Sequence, residues 1–441
     1  MISFCPTGIT TLFTRYAILS PSVDMFCRVI GVQEEGGRMK KSWLMYCLAG
    51  VALLGGNLWA GKVVYPWRAT TAFVKAGETF EVWYVASSGQ TVNSVELKGP
   101  YNTVLTTRSV ATGTWEYDHE SGKTYNQKIT VTVPANAPAD RYDLVLKTSS
   151  GNETTPAAVK VLKDYKDYYY IVHMSDVHRY QGGYDVDVTL KKAEAVLDVA
   201  DIVGAEMVWE TGDQLYCHTT NNGETDNRIN TMFSGKTGIR GLNSTKAAVF
   251  LVPGNHDSPK NNYTSDASLA VTMGWYNDKY GLGYFNFKYG NGRFMGVNSG
   301  MGSVPSEQRI AANAWLTSVG HGNLKLAAGH AGQSAVTSFD TVINLDMFLA
   351  GHNHFIASDN PHSINGKAIQ YVANSIRDTG TGNFEYNLFR VKNSDGSVQV
   401  LGSTGSRVRV IQNHTIENIN NPPSWIPMLE LNFNNSNNGT A

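Results

Sequence analysis

Residues 248–257 read Ala248-Val249-Phe250-Leu251-Val252-Pro253-Gly254-Asn255-His256-Asp257: an apolar run, a proline and a glycine, then an amide, an imidazole and a carboxylate. The run has the length and β-branched content of a strand buried on both faces, and Pro-Gly ends it. The polar residues past such a strand emerge at its carboxyl end. In open α/β sheets ligands collect there, because successive loops converge on one crevice. The arrangement recurs along the chain. Ile171-Val172-His173-Met174 leads to Asp176-Val177-His178, Met207-Val208-Trp209 to Gly212-Asp213, Leu324–Ala328 to His330, and Met347–Ala350 to Gly351-His352-Asn353-His354. Five strand ends carrying Asp, His or Asn predict one shared site. Five of the eleven histidines lie in these loops, a concentration that scattered core histidines would not produce.

Around these loops, 185–203 and 306–319 have helical spacing, the first with Asp185 and Asp187 where an N-terminal turn favours acids. Further strands are expected at 346–350, 368–373, 386–391 and 397–401, giving a sheet-rich α/β domain over 166–411. Residues 163–169 form a polar and aromatic link. Upstream, 62–162 alternate apolar and polar side chains in short runs such as Thr79–Val85, Lys128–Val133 and Tyr142–Lys147, separated by Gly- and Pro-rich turns. That pattern predicts a small all-β immunoglobulin- or fibronectin-like sandwich. From 412 to 441 the chain is Asn-rich with Pro422-Pro423 and reads as a linker or tail. Within it, 429–435 resemble the opening strand of a concanavalin-like jelly roll.

Composition narrows the class. The 441 residues carry 36 Lys and Arg against 37 Asp and Glu, a net charge of −1, which argues against a nucleic-acid binder working through a broad basic face. With 42% hydrophobic and 17% charged residues, wholesale disorder is excluded. Four cysteines, Cys5, Cys27, Cys47 and Cys217, are too few and too scattered for a disulfide scaffold or a cysteine zinc site. Lys40-Lys41 precedes an apolar stretch from Leu44 to Ala60, the layout of a signal peptide over 39–60, with 1–38 an extension upstream of a start at Met39. The expected location is secreted or periplasmic, in a bacterium, with no stable membrane span after cleavage.

Imidazole, carboxylate and amide donors without thiolate suit Fe, Mn, Zn or similar ions. Seven such ligands exceed the needs of one tetrahedral ion and match two divalent or trivalent ions sharing a carboxylate.

In order, D-x-H, G-D, G-N-H-D, H and G-H-x-H across 176–354 resemble the calcineurin-like metallophosphoesterase family. The resemblance implies a four-layer α/β/β/α sandwich. It implies that Asp176, His178 and His354 hold one metal, Asn255, His330 and His352 a second, and that Asp213 bridges them. A bridging hydroxide would attack phosphorus in line. His256 would face the phosphate and assist the leaving group, with Asp257 grouped beside it in the catalytic loop and steadying that loop. The expected partner is a small phosphorylated substrate, a phosphomonoester or phosphodiester, with no specific nucleic-acid binding.

Tyr216 departs from the protein phosphatases of the family, which place Asp there. Gly-Asp-x-x-Tyr is similar to purple acid phosphatases, where the tyrosine ligates iron, but those lack a counterpart of His178, so Tyr216 is expected to pack beside the site. Asn374 and Arg377 follow the strand Ile369–Ala373; they are candidates to reach substrate if that strand end faces the crevice, and otherwise belong to an ordinary surface loop. His173, inside its strand, is expected to be a satisfied core histidine. Two rivals stand against the hydrolase: a carbohydrate- or surface-binding protein acting through the β-sandwich with an inactive second part, and a lactam or amide hydrolase. The latter's H-x-H-x-D-H string is absent from the sequence.

Overall fold

The computed structural model describes residues 61–216, 222–257, 266–300, 302–332, 343–354, 362–364, 368–373, 375–376, 383–401 and 408–411. The expected extension and signal peptide over 1–60, Cys217, Asn374, Arg377 and the tail from 412 lie outside the described residues.

Nine strands come first: β1 (Lys62–Tyr65), β2 (Ala72–Lys75), β3 (Thr79–Val85), β4 (Val92–Lys98), β5 (Thr103–Val104), β6 (Thr106–Glu116), β7 (Thr124–Thr132), β8 (Asp140–Thr148) and β9 (Gly151–Leu162). They form two sheets, ordered β1-β3-β7-β6 and β2-β9-β8-β4-β5. The alternation in β3 puts Phe80, Val82 and Tyr84 on the inner face, where they meet Val95, Leu97, Leu144 and Leu146 of the opposing sheet. Two sheets closing on one apolar layer make a β-sandwich.

The chain then alternates. β10 (Tyr168–Met174), α1 (Val186–Ile202), β11 (Met207–Thr211), α2 (Asn222–Ser234), β12 (Ala248–Val252) and α3 (Asp266–Lys279) precede a hairpin of β13 (Phe285–Tyr289) and β14 (Gly292–Gly296). α4 (Ser306–Val319), β15 (Leu324–Ala328), β16 (Met347–Ala350), β17 (His362–Ile364), β18 (Ala368–Val372), β19 (Asn383–Lys392), β20 (Val398–Leu401) and β21 (Val408–Ile411) complete the order. One sheet runs β12-β11-β10-β19-β20, with β21 on β19; the other runs β13-β14-β15-β16-β18-β17. β10, β11 and β12 are parallel, as are β14, β15, β16 and β18, so the motif-bearing strand ends share an edge within each sheet.

The two sheets stack face to face. Ile171, Met207, Trp209 and Phe250 of one pack with Phe294, Leu326, Met347 and Leu349 of the other. Outside the first sheet lie α1 to α3, through Val196, Leu197, Ile229, Phe233, Met273 and Tyr276. Outside the second lies α4, through Ala312 and Leu316. The order of layers is α/β/β/α. Because both faces are covered, β11, β12 and β16 are buried at every position, β12 and β16 with apolar side chains alone and β11 with Glu210 and Thr211 as well. α1 begins where the Asp185 carboxylate accepts from Asp187 N and Val188 N, and Gly204, at φ 62°, turns the chain out of it.

The sandwich is fastened to this second part. Leu251 N donates to Ala69 O (3.2 Å), and buried Arg141 reaches Leu242 O and Thr245 O at 3.0 and 3.1 Å. The 117–123 turn enters furthest. Asp118 accepts from Asn277 of α3, Asn298 Nδ2 donates to Glu120 Oε2 (2.8 Å), Gln308 Nε2 of α4 donates to Asp118 O (3.0 Å), and Lys123 Nζ donates to Gly274 O (2.8 Å). Apolar side chains of both parts, Val64, Tyr117, Tyr125 and Leu162 with Phe250 and Phe285, belong to one continuous core. Among the described residues no helix is long and apolar enough to cross a membrane.

Candidate metal centre

The loops after β10 and β11 are stitched together by backbone hydrogen bonds: Asp176 N to Gly212 O (3.1 Å), His178 N to Asp213 O (2.8 Å), Arg179 N to Gln214 O (3.1 Å) and Tyr216 N to Arg179 O (3.0 Å). This brings D-x-H against G-D. The loop after β12 joins through Asp213 Oδ1, which accepts from His256 N (2.8 Å). The second sheet closes the ring: His352 N donates to Asp176 Oδ2 (2.8 Å), and Gly351 N to His330 O (2.9 Å).

Five of the side chains so gathered, Asp176, His178, Asp213, His352 and His354, sit on backbone with positive φ, between 47° and 72°. L-residues avoid that region at a cost of about 1 kcal/mol or more each, and they persist there where the surroundings over-determine them. Two motif glycines have a steric reason. A Cβ on Gly254 would collide with Asp213, and one on Gly351 with Ser175 and Asp176.

One group of ligand atoms, from Asp176, His178, Asp213 and His354, lies within 4.8 Å of one another. His354 Nε2 is 3.0 Å from Asp176 Oδ1 and 3.0 Å from His178 Nε2. A second group is as tight: Asn255 Oδ1 is 3.0 Å from His330 Nε2 and 3.1 Å from His352 Nδ1. Asp213 Oδ2 stands between the groups, 3.5 Å from His178 Nε2 and 3.3 Å from His330 Nε2. Asp176, His178, Asp213 and His330 are buried, Asn255 and His354 are partly open, and His352 is exposed, so the floor is closed and one rim faces solvent.

The orientation of these groups is enforced from behind. His330 Nδ1 lies 2.8 Å from Thr211 O, which only accepts, so the hydrogen sits on Nδ1 and Nε2 is left for the crevice. Ser175 Oγ lies 2.7 Å from Asp176 Oδ2 and 2.8 Å from Thr211 O. Asp257, expected beside His256, is fully buried and turns both oxygens to backbone amides, Leu215 N at 3.1 Å and Gly254 N at 2.9 Å. It ties two loops together and does not face the crevice. His173 bonds Thr211 Oγ1 (2.9 Å) and Asn387 Nδ2 (3.1 Å) and is a satisfied core residue. The Tyr216 ring lies 4.7 Å from that of His256, inclined by 26°, and 6.0 Å from that of His178.

The electrostatics call for positive charge. Burial opposes a proton on His330, but the carboxylates of Asp213 and Asp176 outweigh it and raise the imidazolium to about 10. Burial likewise pushes Asp176 and Asp213 up, and His330 with the neighbouring histidines more than reverses it, holding both below the usual range. Oxygen and imidazole donors crowd inward around carboxylates that hold a proton on His330, and a metal cation taking the place of that proton would meet a donor set that fits ions of the Fe, Mn or Zn kind.

A sequence model described as calcineurin-like phosphoesterase matches residues 169–355, the segment that contains all five loops. Residues 169–355 belong to the calcineurin-like phosphoesterase family. No curated protein matches the chain. Among solved structures, this chain is similar to a dimetal phosphatase from Danio rerio at 13% identity, over 56% of this chain and 99% of that one, with a TM-score of 0.37. It is similar to a conserved uncharacterized protein of Streptococcus pneumoniae, described as a predicted phosphoesterase, at 13% identity, over 56% and 99%, with a TM-score of 0.25. It is also similar to a hypothetical protein from Thermus thermophilus at 10% identity, over 54% and 98%, with a TM-score of 0.33.

The sequence alone did not reveal the orienting groups of the candidate metal centre. Ser175 reads as a turn residue and Thr211 as the end of a strand; only their positions beside Asp176 and Gly212 hinted at a role. Arg179 next to His178 gave no signal, because its partner Glu210 lies 31 residues on, within β11.

Proposed function

We propose that this chain is a metal-dependent phosphoric ester hydrolase with two ions, acting on a phosphomonoester or phosphodiester. The observation that carries the reading is the position of Asp213 Oδ2 between two compact groups of ligand atoms, 3.5 Å from one and 3.3 Å from the other. Asp176, His178 and His354 would hold one ion and Asn255, His330 and His352 the other, with Asp213 shared. Bound there, the ions supply an acidified water and neutralise charge on the phosphate oxygens.

The chain's own residues do the rest. Thr211 keeps the His330 Nε2 lone pair toward the crevice, and the His352 amide with Ser175 fixes the Asp176 carboxylate. The His256 backbone is pinned to Asp213 and the residue is partly exposed; its imidazole is the group that would give a proton to the departing ester oxygen. The buried carboxylates of Asp176 and Asp213 are balanced here by the His330 imidazolium, a positive charge that bound ions would supply in its place.

The test pairs metal analysis with p-nitrophenyl phosphate and bis(p-nitrophenyl) phosphate. Activity should vanish on chelation and return with Mn or Zn, and Asp213→Ala should lower kcat/KM by at least about 10²-fold, the scale of losing one charge-stabilising group. Full activity after exhaustive chelation would overturn the proposal.

A further inference from the structure

We propose that Tyr216 is a positioning residue for His256, its ring setting the rotamer from which the imidazole reaches the leaving oxygen. This rests on the hydrolase reading above.

The loop carrying His256 is fixed at its backbone on both sides. His256 N donates to Asp213 Oδ1 (2.8 Å), and the neighbouring Asp257 carboxylate holds Gly254 N and Leu215 N. A fixed backbone still leaves two side-chain torsions, and proton transfer requires hydrogen-bond reach of one particular oxygen. Two rings confine those torsions: Tyr216 lies 4.7 Å away nearly parallel, and His178 lies 5.1 Å away at 62°. His178 is itself a ligand candidate, so Tyr216 is the wall that sequence can vary independently.

Tyr216 is held well enough to serve. Its amide donates to Arg179 O (3.0 Å), and the Arg179 guanidinium is clamped by Glu210 and Gln214 O within the core. Its side chain belongs to none of the four buried apolar clusters among the described residues, so filling the core does not account for it. A near-parallel aromatic ring restrains an imidazole by stacking and tolerates a positive charge on it. In the step concerned, a water that has given one proton to solvent bonds through its oxygen to phosphorus, the bond from phosphorus to the ester oxygen breaks, the His256 proton goes to that oxygen, and His256 then takes a proton back from solvent.

General-acid help matters little for a p-nitrophenolate leaving group and much for phenol or an alcohol. The experiment therefore compares metal-loaded wild type with Tyr216→Leu, Tyr216→Phe, His256→Ala and the Tyr216→Leu/His256→Ala double variant on p-nitrophenyl, phenyl and alkyl phosphates. Tyr216→Leu should lose about 10²-fold in kcat on phenyl and alkyl esters, the lower range of general-acid effects, but only a few-fold on the p-nitrophenyl ester. Tyr216→Phe, which keeps the ring, should recover most of the loss. The double variant should be no slower than His256→Ala alone, because both changes remove one function. A loss equal across leaving groups, losses that multiply in the double variant, or a Tyr216→Phe as slow as Tyr216→Leu would overturn the positioning role. A wild type inactive on every ester with every metal would instead overturn the hydrolase reading beneath it.

Discussion

Arg179 and Glu210 form a two-point ion pair inside the protein, Nη1 to Oε1 at 2.5 Å and Nη2 to Oε2 at 3.1 Å, with both side chains almost wholly shielded from water. Glu210 lies on β11, and Arg179 directly succeeds His178, so the pair bolts the first ligand loop to the sheet. Removing one partner strands a buried charge, and such losses run to about 3–5 kcal/mol. Arg179→Leu should lower the unfolding free energy measured in urea by that scale. Arg179→Leu combined with Glu210→Leu should regain a large part of it. A single variant as stable as wild type would show that the pair does not carry the loop.

Ser175 fixes the Asp176 carboxylate from behind, at 2.7 Å. Groups that orient metal ligands commonly change metal affinity by about 10–100-fold when lost. Ser175→Ala should therefore weaken Mn or Zn binding by about 10-fold in a calorimetric titration, with an unaltered melting temperature in the metal-free state. Unchanged affinity would remove Ser175 from the orienting set.

Gly351 has no room for a methyl group between Ser175 and Asp176. Overpacking of this kind costs about 1–3 kcal/mol. Gly351→Ala should lose that much stability and also retain less metal than Ser175→Ala after desalting, because it displaces the carboxylate instead of merely loosening it. Normal metal content would count against this packing argument.

Glu120, on the turn that enters from the sandwich, supplies a pH test at a residue outside the ligand set. Burial, then the charges of Asp118 and Glu307, push its carboxyl up to about 7, against the pull of the Asn298 hydrogen bond. Its folded value is above the ordinary 4.5, so its favourable contribution is complete below pH 4.5 and is lost as pH rises through about 7. Relative to Glu120→Gln, which keeps an acceptor for Asn298, wild type should lose on the order of 3 kcal/mol between pH 4.5 and 8 in urea titrations. Parallel pH profiles for the two proteins would contradict this burial of charge.

The parts legible in sequence are those where one physical demand dominates. β10, β11, β12, β15 and β16 are short apolar runs because both faces are covered, and their polar sequels mark the crevice without further help. α1 announces itself through Asp185. α2 is harder: most of its residues are polar, and the side chains that turn inward among those described, Thr225, Ile229, Met232 and Phe233, include a threonine on an otherwise short apolar face. α3 carries Gly274 and lacks a clear apolar stripe. The β13–β14 hairpin is absent from the sequence reading, although Phe285-Asn286-Phe287-Lys288-Tyr289 and the Gly290-Asn291 turn carry a hairpin signal. The union of sandwich and phosphoesterase was not readable. Asp118 and Asn277 are ordinary polar residues 159 positions apart, and nothing local says that they meet.

That union has an engineering and evolutionary corollary. A recombinant fragment begun near residue 166 would be born with Asn277, Asn298 and Gln308 deprived of their counterparts and with aromatic surface laid bare around Phe250 and Phe285. The front lobe is thus less a detachable accessory than a keystone, and lineages that exchange it must renegotiate α3, α4 and the turn after β14 at the same time.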